Sequence, residues 1–208
     1  MELYELECKY NEIEKKVYDK LKSTGHPNWQ KRYNHSLSVG KKAYELSKLH
    51  YQDEILSEKA YLAGIIHDYC KYDTVEKYNE IIKKYNLNIK YDIRVKSIYH
   101  GILAPYIIKE ELNINDEEIL KAIECHVTGK ENMSPLEKLI YVSDYVEDLR
   151  IGETYETSRE IALQSLDRCV AYNSCSILSY LLEKKYAIFS GSLDTYNYYL
   201  KYLEPENN

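Results

Sequence analysis

Phenylalanine and tryptophan are almost missing from this 208-residue chain, with one of each. Proline (4) and glycine (7) are scarce too, which disfavours a turn-rich sandwich or barrel and favours long helices. No apolar run reaches the length of a membrane span. The N-terminus, Met1-Glu2-Leu3-Tyr4-Glu5, opens a charged amphipathic segment and lacks a signal-peptide core. The five cysteines (Cys8, Cys70, Cys125, Cys169, Cys175) are odd in number and form no C-x-x-C pair. That pattern points to free, packed thiols in a reducing compartment, so the chain reads as cytoplasmic. Positive charge is also in deficit. A formal net charge of −6 disfavours duplex nucleic acid as the main partner, because a polyanion needs a basic surface. A small anion held by a few local cations or by a metal remains compatible with it.

What the chain does have is tyrosine, 24 residues, expected to fill core positions that phenylalanine otherwise takes. Hydrophobic residues at 44% and charged residues at 30% describe an ordinary folded chain and exclude a disordered one. No repeat, low-complexity tract or linker interrupts it, and its length suits one all-α domain over residues 1–208.

Apolar spacing predicts a first helix from about Leu3 to Lys22 and a second from about Asn28 to His50, with His35 on the face of Val39, Ala43 and Leu46. A third helix is expected to begin near Ser57 as N-cap and to run through His67-Asp68, with a small-residue face of Ala60, Ala63 and Gly64. Further helices are expected over Thr74–Tyr85, over Ser97–Leu112 with His100 inward, and after Asn115, capped with Glu118 and carrying His126 inward. Ser134-Pro135-Leu136-Glu137 starts another, with serine as N-cap, proline at the first position and glutamate at the third. It places Leu136, Ile140 and Asp144 in line. A long helix over Thr157–Tyr186 and a short one after Ser192 complete the chain.

His35, His67, His100, His126 and Asp144 thus sit on the apolar faces of different helices, with Asp68 beside His67. Buried imidazoles and carboxylates are costly unless paired or metal-bound. A lone inward histidine is more often a hydrogen-bonded core residue. Five elements aiming such groups inward are better explained by a common centre. Imidazole with carboxylate suits Fe, Mn, Co or Zn better than Mg or Ca, which prefer oxygen shells. Open coordination positions would then serve water and a substrate oxygen, as hydrolysis requires.

The pattern His35…His67-Asp68…Asp144 resembles the signature of HD-domain phosphohydrolases. Five segments narrow the likeness: Arg32-Tyr33-Asn34-His35-Ser36, Ala63-Gly64-Ile65-Ile66-His67-Asp68-Tyr69-Cys70-Lys71, His100-Gly101, His126-Val127-Thr128-Gly129 and Ser143-Asp144-Tyr145-Val146-Glu147. Together they are similar to the bacterial HD-domain symmetrical diadenosine tetraphosphate hydrolases.

The resemblance implies an HD-type helical bundle with its core over about 27–150 and C-terminal helices, 157–203, closing a nucleotide site. It implies a metal, iron in this family, on His35, His67, Asp68 and Asp144, and a substrate that is a dinucleoside polyphosphate or its ADP product. His35 and Asp144 would also border the nucleotide. His100 and His126, with Val127, would face the phosphates, and in related two-metal enzymes the equivalent histidines hold a second ion. Lys71, Tyr72, Asp73 and Thr74 would border the nucleotide, Arg150 would meet a phosphate, and the loop Ala187-Ile188-Phe189-Ser190-Gly191-Ser192 would close over base or ribose. Asp68, His100 and His126 are the candidates for proton transfer. The chain departs from the family at Val127, where threonine is frequent, at Asp148-Leu149, where Pro-Gly precedes the arginine, and at Ser190-Gly191, where a proline is frequent.

Two other functions fit the bare pattern. One is a different HD phosphohydrolase, acting on nucleoside monophosphates, deoxynucleoside triphosphates or cyclic nucleotides. The other is a nucleotide-binding regulatory module without activity. The sequence leaves a homodimer open and expects no membrane partner.

Overall fold

The computed structural model describes residues 2–89 and 92–203, and among these it holds helices and no strand. α1 (Leu3–Ser23) starts on a reciprocal cap in which the Glu2 amide donates to Glu5 Oε2 over 2.8 Å. It buries Leu6, Val17 and Leu21 against the pair formed by α2 (Trp29–His50) and α3 (Glu54–Ile66). That pair is the spine of the molecule. A Cβ built on Gly64 would lie 2.6 Å from the Gly40 Cα and 2.7 Å from its nitrogen, so the two helices cross backbone to backbone. The small-residue face of α3 is buried there as the sequence suggested.

Two boundaries of α3 differ from the sequence expectation. The helix begins one turn early, because the Asp53 carboxylate accepts from the amides of Ile55 and Leu56 at 2.9 and 3.0 Å. Ser57 instead lies buried, bonded to Ser47 Oγ and to the Asp53 carbonyl. The helix ends at Ile66, so His67 is its C-cap and Asp68 lies in the turn that follows.

Thr74 caps α4 (Val75–Lys84) through the Lys77 amide. The helix expected over Ser97–Leu112 is three pieces: a 3-10 turn (Ile93–Ile98), α5 (Tyr99–Ile102) and α6 (Ala104–Leu112). Pro105 explains the second break, since it lacks an amide to continue the ladder and disfavours a helix running into it. Asp116, not Asn115, caps α7 (Glu117–Cys125), accepting from Glu118 and Ile119, so no box with Glu118 forms.

The cap read at Ser134 is present in full on α8 (Pro135–Val146). The long C-terminal helix is two, α9 (Glu153–Gln164) and α10 (Leu166–Glu183), because Ser165 adopts an extended backbone and caps α10. α11 (Ser190–Tyr199) starts inside the expected loop. One contiguous core runs from Leu6 to Tyr199, with tyrosines such as Tyr61, Tyr141 and Tyr199 fully or nearly fully buried.

Candidate metal centre

The spine delivers the first two histidines. His35, five residues before Gly40 on α2, and His67, at the end of α3, bring their rings within 5.2 Å. α8 lies across both helices and carries Asp144 from its last turn. α7 ends on His126 and α5 carries His100, whose rings stand 5.0 Å apart. The predicted residues therefore converge, from five elements and one turn.

Three of the four rings are oriented by their outer nitrogen. His35 Nδ1 lies 3.1 Å from Glu147 Oε1, His67 Nδ1 2.7 Å from the Gly64 carbonyl, and His126 Nδ1 2.6 Å from the Ile123 carbonyl. These acceptors place a hydrogen on Nδ1 and turn Nε2 toward the centre. Asp68 divides that centre. Its Oδ1 faces His100 Nε2 at 3.0 Å and His126 Nε2 at 3.7 Å. Its Oδ2 faces His67 Nε2 at 3.3 Å and His35 Nε2 at 3.8 Å. Asp144 Oδ1 closes the second side, 3.0 Å from His35 Nε2 and 4.0 Å from His67 Nε2.

Ligand atoms of His35, His67 and Asp144 fall within 4.8 Å of one another, and so do those of His67, Asp68 and His126. The protein satisfies few of them. His67 Nε2 and Asp68 Oδ1 are buried with no hydrogen-bond partner among the described residues, and His35 Nε2 has only the Asp144 carboxylate, 3.0 Å away. Buried lone pairs left unpaired are expensive unless an ion takes them, so the donor set fits a divalent metal.

Charge confirms the fit. Burial alone would raise the Asp68 carboxyl, but Lys71, His67 and Arg32 outweigh it and hold it well below the usual carboxylate range. Asp144 behaves alike: burial is overcome by Arg150 and His35. Burial pushes His67 down. Burial, reinforced by Lys71, takes His100 down to about 3. His100 is therefore neutral at physiological pH in the metal-free protein. Without a proton it offers a lone pair to the centre.

Three cations rim the centre. Arg32 donates to Asp68 Oδ2 over 2.6 Å, Arg150 to Asp144 Oδ1 over 2.9 Å, and Lys71 Nζ sits 3.0 Å from His100 Nε2. Arg32 and Glu147 were not singled out from sequence. Their signal was spacing: each lies three residues from a ligand, Arg32 before His35 and Glu147 after Asp144, on the same helical face.

Not every nucleotide candidate reaches the centre. Tyr72 stacks on His26 with ring centroids 3.7 Å apart. Asp73 is turned to Lys20 of α1 at 3.1 Å, and Thr74 is used as the α4 cap. Val127 is half-buried against Gly101. Ala187, Ile188 and Phe189 lead into the first turn of α11, where Gly191 and Thr195 pack on Thr128 and Gly129, beside His126. Asp148, which departs from the family pattern, pairs with Lys42 at 2.9 Å and not with Arg150.

A fold of this kind with paired histidines and aspartates at its heart is that of the HD domain, whose family model matches residues 32–149. More particular likenesses follow. The chain is 36% identical over 172 residues, 82% of it and 87% of the relative, to a protein of Staphylococcus aureus named bis(5'-nucleosyl)-tetraphosphatase, symmetrical. It is 33% identical to the protein of the same name from Halalkalibacterium halodurans, covering 80% of this chain and 87% of that one. A crystal structure from Clostridium acetobutylicum, described as an HD superfamily hydrolase involved in NAD metabolism, superposes with a TM-score of 0.76 at 29% identity, over 90% of this chain and 96% of that one. The chain belongs to the HD-domain family and, within it, to the family of the symmetrical bis(5'-nucleosyl)-tetraphosphatases.

Proposed function

We propose that this protein is a metal-dependent phosphoanhydride hydrolase that cleaves diadenosine tetraphosphate at its middle bond, giving two ADP. The observation that carries the reading is the convergence of ligand atoms of His35, His67, Asp68 and Asp144, with buried His67 Nε2 and Asp68 Oδ1 left without a hydrogen-bond partner among the described residues, inside a rim of three cations. The names of the relatives, at 36% and 33% identity over most of the chain, supply the substrate.

His35, His67, Asp68 and Asp144 would hold the ion, of which iron is the first candidate and Mn, Co or Zn the others. His100 and His126, 3.2 Å apart through their Nε2 atoms, would take a second ion or the phosphate oxygens. A divalent ion held by these residues would supply Lewis acidity toward the phosphoryl group and activation of the attacking water.

The chain's own residues do the rest. Arg32, Lys71 and Arg150 neutralise charge that builds on phosphate oxygens in transfer, where positioning and electrostatics dominate. Glu147 fixes the His35 ring and Gly64 the His67 ring, so neither must reorganise during reaction. Beside Asp144 and Arg150 opens a cleft of about 780 Å³ lined by Tyr145, Tyr155, Tyr172 and Tyr180. Such ring faces suit a stacked base. The turn at Ala187–Phe189 and the start of α11 close the His126 side. No helix among the described residues is long and apolar enough to cross a membrane, and we place the enzyme in the cytoplasm.

The test is product analysis with metal-loaded protein. Symmetrical cleavage yields ADP alone. AMP with ATP, or phosphate released from mononucleotides at a higher rate, would transfer the protein to another HD phosphohydrolase activity. Binding of ADP with no turnover of any dinucleotide would leave the regulatory module standing.

A further inference from the structure

A substrate with two nucleosides cut at its centre must extend away from the metal on both sides, and the tyrosine-lined cleft lies on one of them. On the other side of Arg150 and Tyr155, a second cleft of about 490 Å³ leads out from His35 between the start of α2 and the turn that follows α8. Its size falls in the range of small-molecule sites, about 300–1,000 Å³. We propose that this second cleft is the binding site for the other nucleoside diphosphate half, with Lys31 on its phosphate and Leu149 and Ile151 under its base. The inference rests on the dinucleotide reading above.

The cleft has the chemistry of a nucleotide site from one end to the other. Its inner wall is the metal centre itself, since His35 lines it and Arg32 and Arg150 flank it. Its cations are Lys31, Arg32 and Arg150, set in a chain of net charge −6. Arg32 and Arg150 are matched by Asp68 and Asp144, but exposed Lys31 forms no ion pair among the described residues. The one carboxylate in the lining, Glu147, is turned inward to His35. α2 adds a field of the same sign. Its first turn has no acidic residue, and Asn28 makes no side-chain cap. No acidic side chain therefore offsets the N-terminal field of the helix.

The outer lip is apolar where solvent would favour polar groups. Ile151 is 89% exposed and Leu149 56% exposed, two residues apart on the turn that carries Arg150. Neither contributes to the core. Set beside three cations and an aromatic ring, they offer what a purine needs: a flat apolar face next to anion-binding groups. Arg150, with its guanidinium 5.5 Å from the Tyr155 ring centre, stands between the two clefts, where the middle phosphates would pass. Two unlike clefts meeting at one metal centre explain how a single protomer can place the central bond of a long, near-symmetric substrate.

The test counts product sites without requiring turnover. Calorimetric titration of metal-loaded protein with ADP is expected to give two sites per protomer in the wild type and one in the double variant Lys31→Glu/Ile151→Asp. Both side chains are exposed, so the variant is expected to keep its metal content and its thermal midpoint. In the same variant kcat/KM for diadenosine tetraphosphate is expected to fall by about tenfold or more, the worth of one charged contact. A single ADP site in the wild type, or two retained in the variant, overturns the second half-site whatever the activity. If the wild type shows two sites but fails to cleave the dinucleotide, the cleft stands as a nucleotide site and the proposed reaction falls.

Discussion

Glu147 Oε1 accepts the Nδ1 hydrogen of His35 over 3.1 Å in a contact where both side chains are buried. That bond decides which ring nitrogen faces Asp68 and Asp144. Burial would raise the Glu147 carboxyl, but its bonds to His35 and Ser38 and to the Leu149 amide hold it below its usual value, so the acceptor is a carboxylate at neutral pH. Its charge makes the His35 lone pair more basic. Glu147→Ala is expected to weaken metal affinity about 10- to 100-fold, the usual cost of losing such an outer partner. Chelator competition measures it, and unchanged affinity would remove Glu147 from the metal site.

Asp68 is the residue both sides of the centre share, with one oxygen toward His100 and His126 and the other toward His35 and His67. Asp68→Ala leaves Arg32 and Lys71 without their buried counter-charge and deprives both histidine groups of a carboxylate. Metal retention is expected to be lost, and turnover to drop by about 10³-fold or more, several kcal/mol of transition-state stabilisation. Elemental analysis and rate together are the check. Wild-type metal content in this variant would refute the assignment of Asp68 as a ligand.

The sequence revealed the candidate ligands more readily than their partners, for a physical reason. His35, His67, His100 and His126 interrupt apolar stripes, so periodicity alone shows where they point. Arg32 and Glu147 are charged residues on helices, which composition reads as solvent-facing; they are drawn inward only because α2 and α8 cross at the metal centre. The breaks at Ser165 and Asp116 were hidden for a different reason. Ser165 interrupts a stretch with no glycine or proline to mark it, and Asp116 adjoins an equally good cap in Asn115. The Ser134-Pro135-Glu137 start was legible because its cap is complete within four residues. Asp73 and Thr74 follow the HD pair in sequence, yet their side chains serve α1 and α4, a distinction that spacing does not carry.

The crossing of Gly40 and Gly64 ties stability to function. An added Cβ at Gly64 meets the Gly40 backbone at 2.6 and 2.7 Å and the Val39 carbonyl carbon at 3.0 Å, all main-chain atoms that cannot swing aside. Gly64→Ala must push α3 away from α2, and His67, three residues on and bonded to the Gly64 carbonyl, moves with it. Destabilisation of about 1–3 kcal/mol is expected, as for other overpacked sites. The denaturant midpoint and the metal affinity should fall together. A variant with wild-type values of both would show that the two helices are not in backbone contact.

Acid should loosen the metal-free protein through His100. Burial and Lys71 hold its folded pKa down at about 3, against roughly 6.5 in an unfolded chain. The folded state therefore keeps the ring neutral while the unfolded state takes up a proton once pH drops below about 6.5. Its stabilising contribution is complete above that pH and is lost as pH falls from there toward the folded value. His67, lowered by burial, acts in the same direction. His35 opposes them in part: burial lowers it, but Asp144 and Glu147 win and raise it, so its stabilising contribution grows as pH falls toward about 6.5 and is complete below that value. Each lowered histidine gives a slope of about 1.4 kcal/mol per pH unit. Urea midpoints of chelator-treated protein at pH 7 and pH 5.5 are expected to fall accordingly, and His100→Gln to flatten the dependence by one proton's worth. A pH dependence that His100→Gln leaves unchanged would mean that His100 already carries a proton in the folded state, and its place as a neutral lone-pair donor at the centre would be lost.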